Sequence, residues 1–151
     1  MKFLIADDHS FVRRGIRQIL AEEFRAAVIL EAASAPEAIQ LIGKEHLDLV
    51  VLDISLEGQS GLDVLKQAKQ FRPNLPVIIL TMHPESQYAV RAFRAGAAGY
   101  LTKASAPECL VQAVRKALAG GRYVSPALAE QLAVDLSATD KLPHETLSDR
   151  E

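Results

Sequence analysis

Five short apolar runs, KFLIA (2–6), AVILE (27–31), LVVLD (49–53), PVIILT (76–81) and the weaker GYLT (99–102), alternate with stretches of helical spacing, and this alternation limits the possible folds more than any other feature. Runs that are apolar throughout, rather than at every second residue, belong to strands buried on both faces, and such strands lie in parallel sheets. Parallel neighbours need a crossover between them, usually a helix. The intervening segments supply it. FVRRGIRQILAEEF (11–24) puts Val12, Ile16, Ile19 and Leu20 on one stripe, with Arg13, Arg14 and Arg17 on the opposite, solvent-facing side. The tetrapeptide SAPE occurs at 34–37 and again at 105–108. Each copy predicts a helix start, with Ser as N-cap, Pro in the first turn and Glu closing a capping box. LDVLKQAKQF predicts a third helix after Gly61 that stops before Pro73, and a fourth over about 85–95 ends at Gly96. PECLVQAVRKALAGG supplies a fifth, closed by Gly120 and Gly121.

Right-handed crossovers fold a βαβαβαβαβα chain into a doubly wound α/β sandwich around a five-stranded parallel sheet. SPALAEQLAVDLSA (125–138) has the spacing of an extra C-terminal helix, and TDKLPHETLSDRE reads as a linker. At 151 residues the chain suits one domain with a short appendage. With 49% hydrophobic residues and a net charge of -2, it has the balance of a globular protein and no Lys/Arg block that would mark a nucleic-acid surface. The lone Cys109 rules out an internal disulfide, fits a reducing compartment and reads as a packed or half-exposed thiol. No apolar run approaches the roughly 20 residues of a membrane span, and MKFLIADD turns acidic too soon for a secretion signal, so a cytoplasmic location is expected.

In doubly wound sheets chemistry gathers at the carboxyl ends of the strands. Asp7 and Asp8 follow the first run here, Asp53 ends the third, Thr81 the fourth, and Thr102 and Lys103 the fifth. Each has an ordinary explanation taken singly: an acidic helix entry, a turn starter, a β-branched strand residue, a solvated lysine. Together they bring carboxylates, hydroxyl and ammonium to one edge. Two adjacent carboxylates repel by about 4 kcal/mol at 4 Å near a protein surface, so a cation belongs beside them, and a hard divalent ion such as Mg²⁺ suits oxygen donors. His9, His46, His83, His144 and Cys109 have no spacing that would make a zinc site.

LIADDHS, VVLDISLEGQSGLDVL, PVIILTMHPE and RAGAAGYLTKAS, in that order, resemble the successive signatures of the receiver domain of two-component response regulators, over residues 1–121. The resemblance implies the flavodoxin-like (CheY-like) receiver fold, with 122–151 as a C-terminal helix and linker. It implies that Asp53 accepts a phosphoryl group from the phosphohistidine of a sensor histidine kinase. Mg²⁺ would be held by Asp8, Asp53 and the Ser55 carbonyl, with Asp7 acting largely through water. Lys103 and Thr81 would contact phosphoryl oxygens. Tyr100 matches the family's aromatic switch, which turns inward on phosphorylation; the alternative is a strand residue with its hydroxyl in water. Ala104 stands where many receivers have proline. TMHPESQYAVRAFRAGAAGYLTKAS with LAGGRYVSPALAEQLA resembles the NarL/FixJ class, whose LuxR-type helix-turn-helix output commonly opens with a phrase like LSDRE, found here at 147–151. The expectation is a transcription regulator whose DNA-binding part lies outside this chain, and which homodimerises on phosphorylation.

Three other readings are weaker. An aspartate-nucleophile phosphatase wants a second acid two residues after the nucleophile, where this chain has Ser55. A dinucleotide or flavin module wants a phosphate-cradling glycine loop after the first strand, where this chain has an acidic pair. A dimerisation scaffold without chemistry would not need the whole residue set.

Overall fold

The computed structural model describes residues 1–56, 58–82, 86–124 and 129–130, the side chains at 86 and 87 excepted. The order is β1 (Lys2–Ala6), α1 (Ser10–Glu23), β2 (Val28–Ala32), α2 (Ala35–Lys44), β3 (Leu49–Asp53), α3 (Gly61–Phe71), β4 (Val77–Thr81), α4 (Ser86–Arg94), β5 (Gly99–Thr102) and α5 (Ala106–Leu118). All strands pair in parallel, in the order β2-β1-β3-β4-β5. The predicted doubly wound sheet is therefore observed, and its strand order reverses between β1 and β3, the switch point where such folds place ligands.

Side chains alternate across the sheet. Leu4, Val50, Leu52, Val77 and Ile79 pack with Ala38 and Ile42 of α2, Val64 and Leu65 of α3, and Ala89 and Ala92 of α4. Phe3, Ile5, Val51, Ile78 and Leu80 pack with Ile16 and Leu20 of α1 and with Leu110 and Val114 of α5. Both faces are covered, which is why the central strands read as unbroken apolar runs; each buried Leu or Ile contributes about 2 kcal/mol.

The two SAPE copies diverge. At the first, Ser34 Oγ accepts from the Glu37 N–H at 3.4 Å, and Glu37 Oε1 accepts from the Ala33 N–H at 2.8 Å, a capping box reaching one residue further back than predicted. At the second, Ser105 makes no cap hydrogen bond, contrary to expectation. Its hydroxyl instead donates to the Thr102 carbonyl at 3.1 Å and meets Thr102 Oγ1 at 3.0 Å, so it braces the turn after β5. Gly96 and Gly120 have φ of 105° and 92° and terminate α4 and α5, a conformation glycine adopts without cost.

The basic side of α1 is not simply solvated. Arg13 Nε donates to Glu31 Oε1 on β2 at 2.9 Å, its Nη1 donates to the Asp7 carbonyl at 2.6 Å, and Arg17 pairs with Glu31 Oε2. The Arg13 hydrogen bond, reinforced by Arg17, holds the Glu31 carboxyl below its ordinary value of 4.5. A depressed folded-state pKa contributes stability above the unfolded value that is lost as pH falls through the folded one. Glu31→Gln is thus expected to cost about 1 kcal/mol near pH 7, solvent screening included, and nothing measurable in strong acid, as read by urea unfolding at both pH values.

Beyond α5 the chain stays on the domain. Tyr123 pairs with Gly99 in parallel and its N–H donates to the Ala98 carbonyl at 2.8 Å. Hydrogen bonding with the partly buried Cys109 pushes the Tyr123 hydroxyl up to about 12. The helix predicted at 125–138 lies outside the described residues, except for the helical pair Ala129 and Glu130.

Candidate functional site

The carboxyl edge of β1, β3, β4 and β5 gathers the predicted set. Asp7 leaves β1 with its N–H donating to the Ala32 carbonyl at 3.0 Å, which fixes its backbone beside β2. Asp53 closes β3 level with Leu80 of β4, so Thr81 stands one residue beyond it on the next strand. The Lys103 N–H donates to the Thr81 carbonyl at 2.7 Å, which carries the parallel β4–β5 pairing one residue past the end of β5. The Lys103 ammonium then lies 3.0 Å from Asp7 Oδ2 and 3.4 Å from Asp53 Oδ2. Ionisable groups this close, from strands 1, 3 and 5, come together only because the sheet order makes their ends neighbours.

Asp7 is 1% and Asp53 2% exposed, whereas Asp8 and His9 stand at the rim. Burial, and next the Asp7 charge, push the Asp53 carboxyl above its ordinary value; the Ser55 N–H and Lys103 pull the other way without cancelling the shift. Asp7 Oδ2 is buried and accepts no hydrogen bond, since the Lys103 ammonium, though near, lies off the hydrogen-bonding direction. The Lys103 ammonium offsets part of the charge on this buried oxygen, but it is shared with Asp53 and supplies no hydrogen bond to Asp7 Oδ2.

One donor atom from each of Asp7, Asp8, His9 and Asp53 can be chosen so that all lie within 4.8 Å of one another. Three carboxylates against one ammonium leave two negative charges, which a divalent ion would cancel. The residues therefore fit a hard divalent cation with oxygen ligands.

Among the other predicted residues, Ser55 is exposed and its N–H donates to Asp53 Oδ1 at 3.2 Å. Thr81 is buried, 1% exposed. Tyr100 is 2% exposed and packs in the core on the α4 side of the sheet, so its hydroxyl is not out in water. Thr102 belongs to the turn rather than the pocket. No cis peptide bond occurs among the described residues, so Lys103–Ala104 is trans. Spacing between histidines and Cys109 gave no hint of metal binding, but His9 sits among the carboxylates, with Nδ1 3.0 Å from both Asp7 Oδ1 and Asp8 Oδ1. Its place directly after the acidic pair was the available signal. Arg13, which clamps the Asp7 carbonyl, had none, because its partners come from other elements. His83 and His144 lie outside the described residues.

A family profile described as the response regulator receiver domain matches residues 3–115. The chain is 35% identical to the response regulator GacA of Pseudomonas aeruginosa, over 100% of this chain and 72% of that protein. It is also 35% identical to the response regulator UvrY of Escherichia coli strain K12, over 98% of this chain and 69% of the relative. Among solved structures, a LuxR-family two-component response regulator from Aurantimonas sp. SI85-9A1 superposes with a TM-score of 0.82 at 39% identity, covering 90% of this chain and 97% of the other.

Proposed function

The chain belongs to the response regulator receiver domain family, the signalling switches of two-component systems, and on that premise we propose that Asp53 accepts a phosphoryl group from a phosphohistidine of a sensor histidine kinase. The observation that carries this reading is the buried Asp53 carboxylate facing Asp7, with the Lys103 ammonium within 3.4 Å of both. An Asp53 oxygen attacks phosphorus, the P–N bond to the donor imidazole breaks, and the electron pair stays on the imidazole, leaving an acyl phosphate on the protein.

The role of each residue follows from its place. Lys103, already against Asp53 Oδ2, meets an oxygen of the arriving phosphoryl group as a point charge. Thr81, one residue past the level of Asp53 on β4, offers its hydroxyl to another. Asp7, Asp8, Asp53 and the Ser55 carbonyl would hold Mg²⁺, which would supply positive charge against the carboxylate and the phosphoryl oxygens. The Ser55 N–H orients the Asp53 carboxylate. At neutral pH the acyl phosphate carries about 1.5 to 2 negative charges where the free carboxylate carries one, and Thr81 shifting toward them repacks Tyr100 and the α4–β5 surface. That surface change is read by a LuxR-type DNA-binding output and by homodimerisation, in the cytoplasm. Ser55, where a phosphatase would carry its second acid, speaks against the enzyme alternative.

Incubation with Mg²⁺ and a small acyl phosphate donor should add one phosphoryl group to the intact mass, and excess chelator should prevent it. An unchanged mass with every donor class would overturn the proposal.

A further inference from the structure

We propose that His9 is a nitrogen ligand of the cation site and sets its preference toward a first-row transition ion such as Mn²⁺ over Mg²⁺. The inference rests on the metal-dependent reading of the acidic pocket and adds a residue and a metal class to it.

Two independent observations mark the pocket as a cation site. The first is the convergence of the Asp7, Asp8, His9 and Asp53 donor atoms. The second is Asp7 Oδ2, which is buried, accepts no hydrogen bond, and has the Lys103 ammonium at 3.0 Å, an ammonium that it shares with Asp53. His9 is then placed by its own backbone, whose N–H donates to Asp7 Oδ1 at 2.8 Å and so folds the imidazole back over the acidic pair.

Its Nδ1 lies 3.0 Å from Asp7 Oδ1, 3.0 Å from Asp8 Oδ1 and 3.4 Å from the Lys103 ammonium. A single ring proton serves only one of the two carboxylates: the contact with Asp7 is a hydrogen bond, and that with Asp8 is an ion-pair distance without hydrogen-bond geometry. Adjacent donors of an octahedral ion, each held at about 2.1 Å, sit about 3 Å apart, the separation of Nδ1 from Asp7 Oδ1 and from Asp8 Oδ1, while the whole donor set lies within 4.8 Å. Imidazole is a poor ligand for Mg²⁺ and a better one for first-row transition ions, least for Mn²⁺ and more for the ions after it, so exchanging one oxygen of the set for Nδ1 changes selectivity more than it changes charge.

The bland alternative is that His9 only props the two carboxylates apart and never touches the ion. A positioning role of that kind would leave no nitrogen signature at the metal. His9 stands at the rim, with its side chain 54% exposed, so its replacement should not disturb folding.

The test uses the full, tag-free chain and Mn²⁺ as the probe. Pulsed electron paramagnetic resonance of the bound ion should show a ¹⁴N coupling that converts to the ¹⁵N pattern when histidine alone is ¹⁵N-labelled. The coupling should vanish in His9→Asn, and the ratio of Mn²⁺ to Mg²⁺ affinity should fall about tenfold. Bound Mn²⁺ without histidine coupling, or an equal affinity ratio in both proteins, would overturn the role of His9 while leaving the acidic site standing. Failure of wild type to bind either ion would overturn both readings together.

Discussion

Gly61→Ala is expected to be among the most damaging single substitutions in the described fold, destabilising it by about 3 kcal/mol or more. A Cβ at this position would lie 2.2 Å from the Asp53 carbonyl oxygen and 2.7 Å from Ile54 Cα. Both obstacles are main chain, so no side chain can swing aside. The Gly61 N–H donates to the Ile54 carbonyl at 2.7 Å, a contact that seats the start of α3 directly against the end of β3. Alanine would push these elements apart at the residue proposed to take the phosphoryl group. Phosphoryl uptake should therefore fall along with the urea midpoint, even in whatever fraction remains folded. A Gly61→Ala protein within about 0.5 kcal/mol of wild type would contradict the packing described here.

Lys103→Met is expected to cost about 3 kcal/mol in chelator and far less in saturating Mg²⁺. The ammonium is the cation placed by the fold within ion-pair distance of both Asp7 and Asp53, which are almost wholly buried. Its removal leaves two carboxylates facing each other, and at an effective dielectric near 20 such a pair at 4 Å repels by about 4 kcal/mol. Protonation of Asp53, whose carboxyl burial already pushes upward, limits the loss. A divalent ion restores the missing charge, so the difference between the two urea curves reports the metal. Equal stability with and without Mg²⁺ in this variant would refute the electrostatic account of the pocket.

Much of this was legible in the residues because burial on both faces forces a plain signature. LVVLD and GYLT coincide with β3 and β5, and AVILE is displaced from β2 by one residue, at an edge strand where Val28 is exposed and Glu31 half-buried. The charged residues that end those runs could be placed on one edge because parallel topology leaves no other arrangement. What escaped was tertiary in origin. SAPE caps one helix and not the other, because at 105 the Thr102 hydroxyl competes for the serine. Arg13 lies on the polar side of α1 by periodicity, yet β2 supplies Glu31 as its partner across 18 positions of sequence. His9 reads as an isolated histidine until its backbone turns the ring toward Asp7 and Asp8.

The most direct test of the central claim is to trap the acyl phosphate chemically. After phosphorylation with a small donor and Mg²⁺, borohydride reduction should convert one aspartate to homoserine, and peptide mass spectrometry should place that conversion at Asp53. The Asp53→Asn protein should give no conversion. Reduction at Asp7 or Asp8 instead, or an equal yield in Asp53→Asn, would contradict the account.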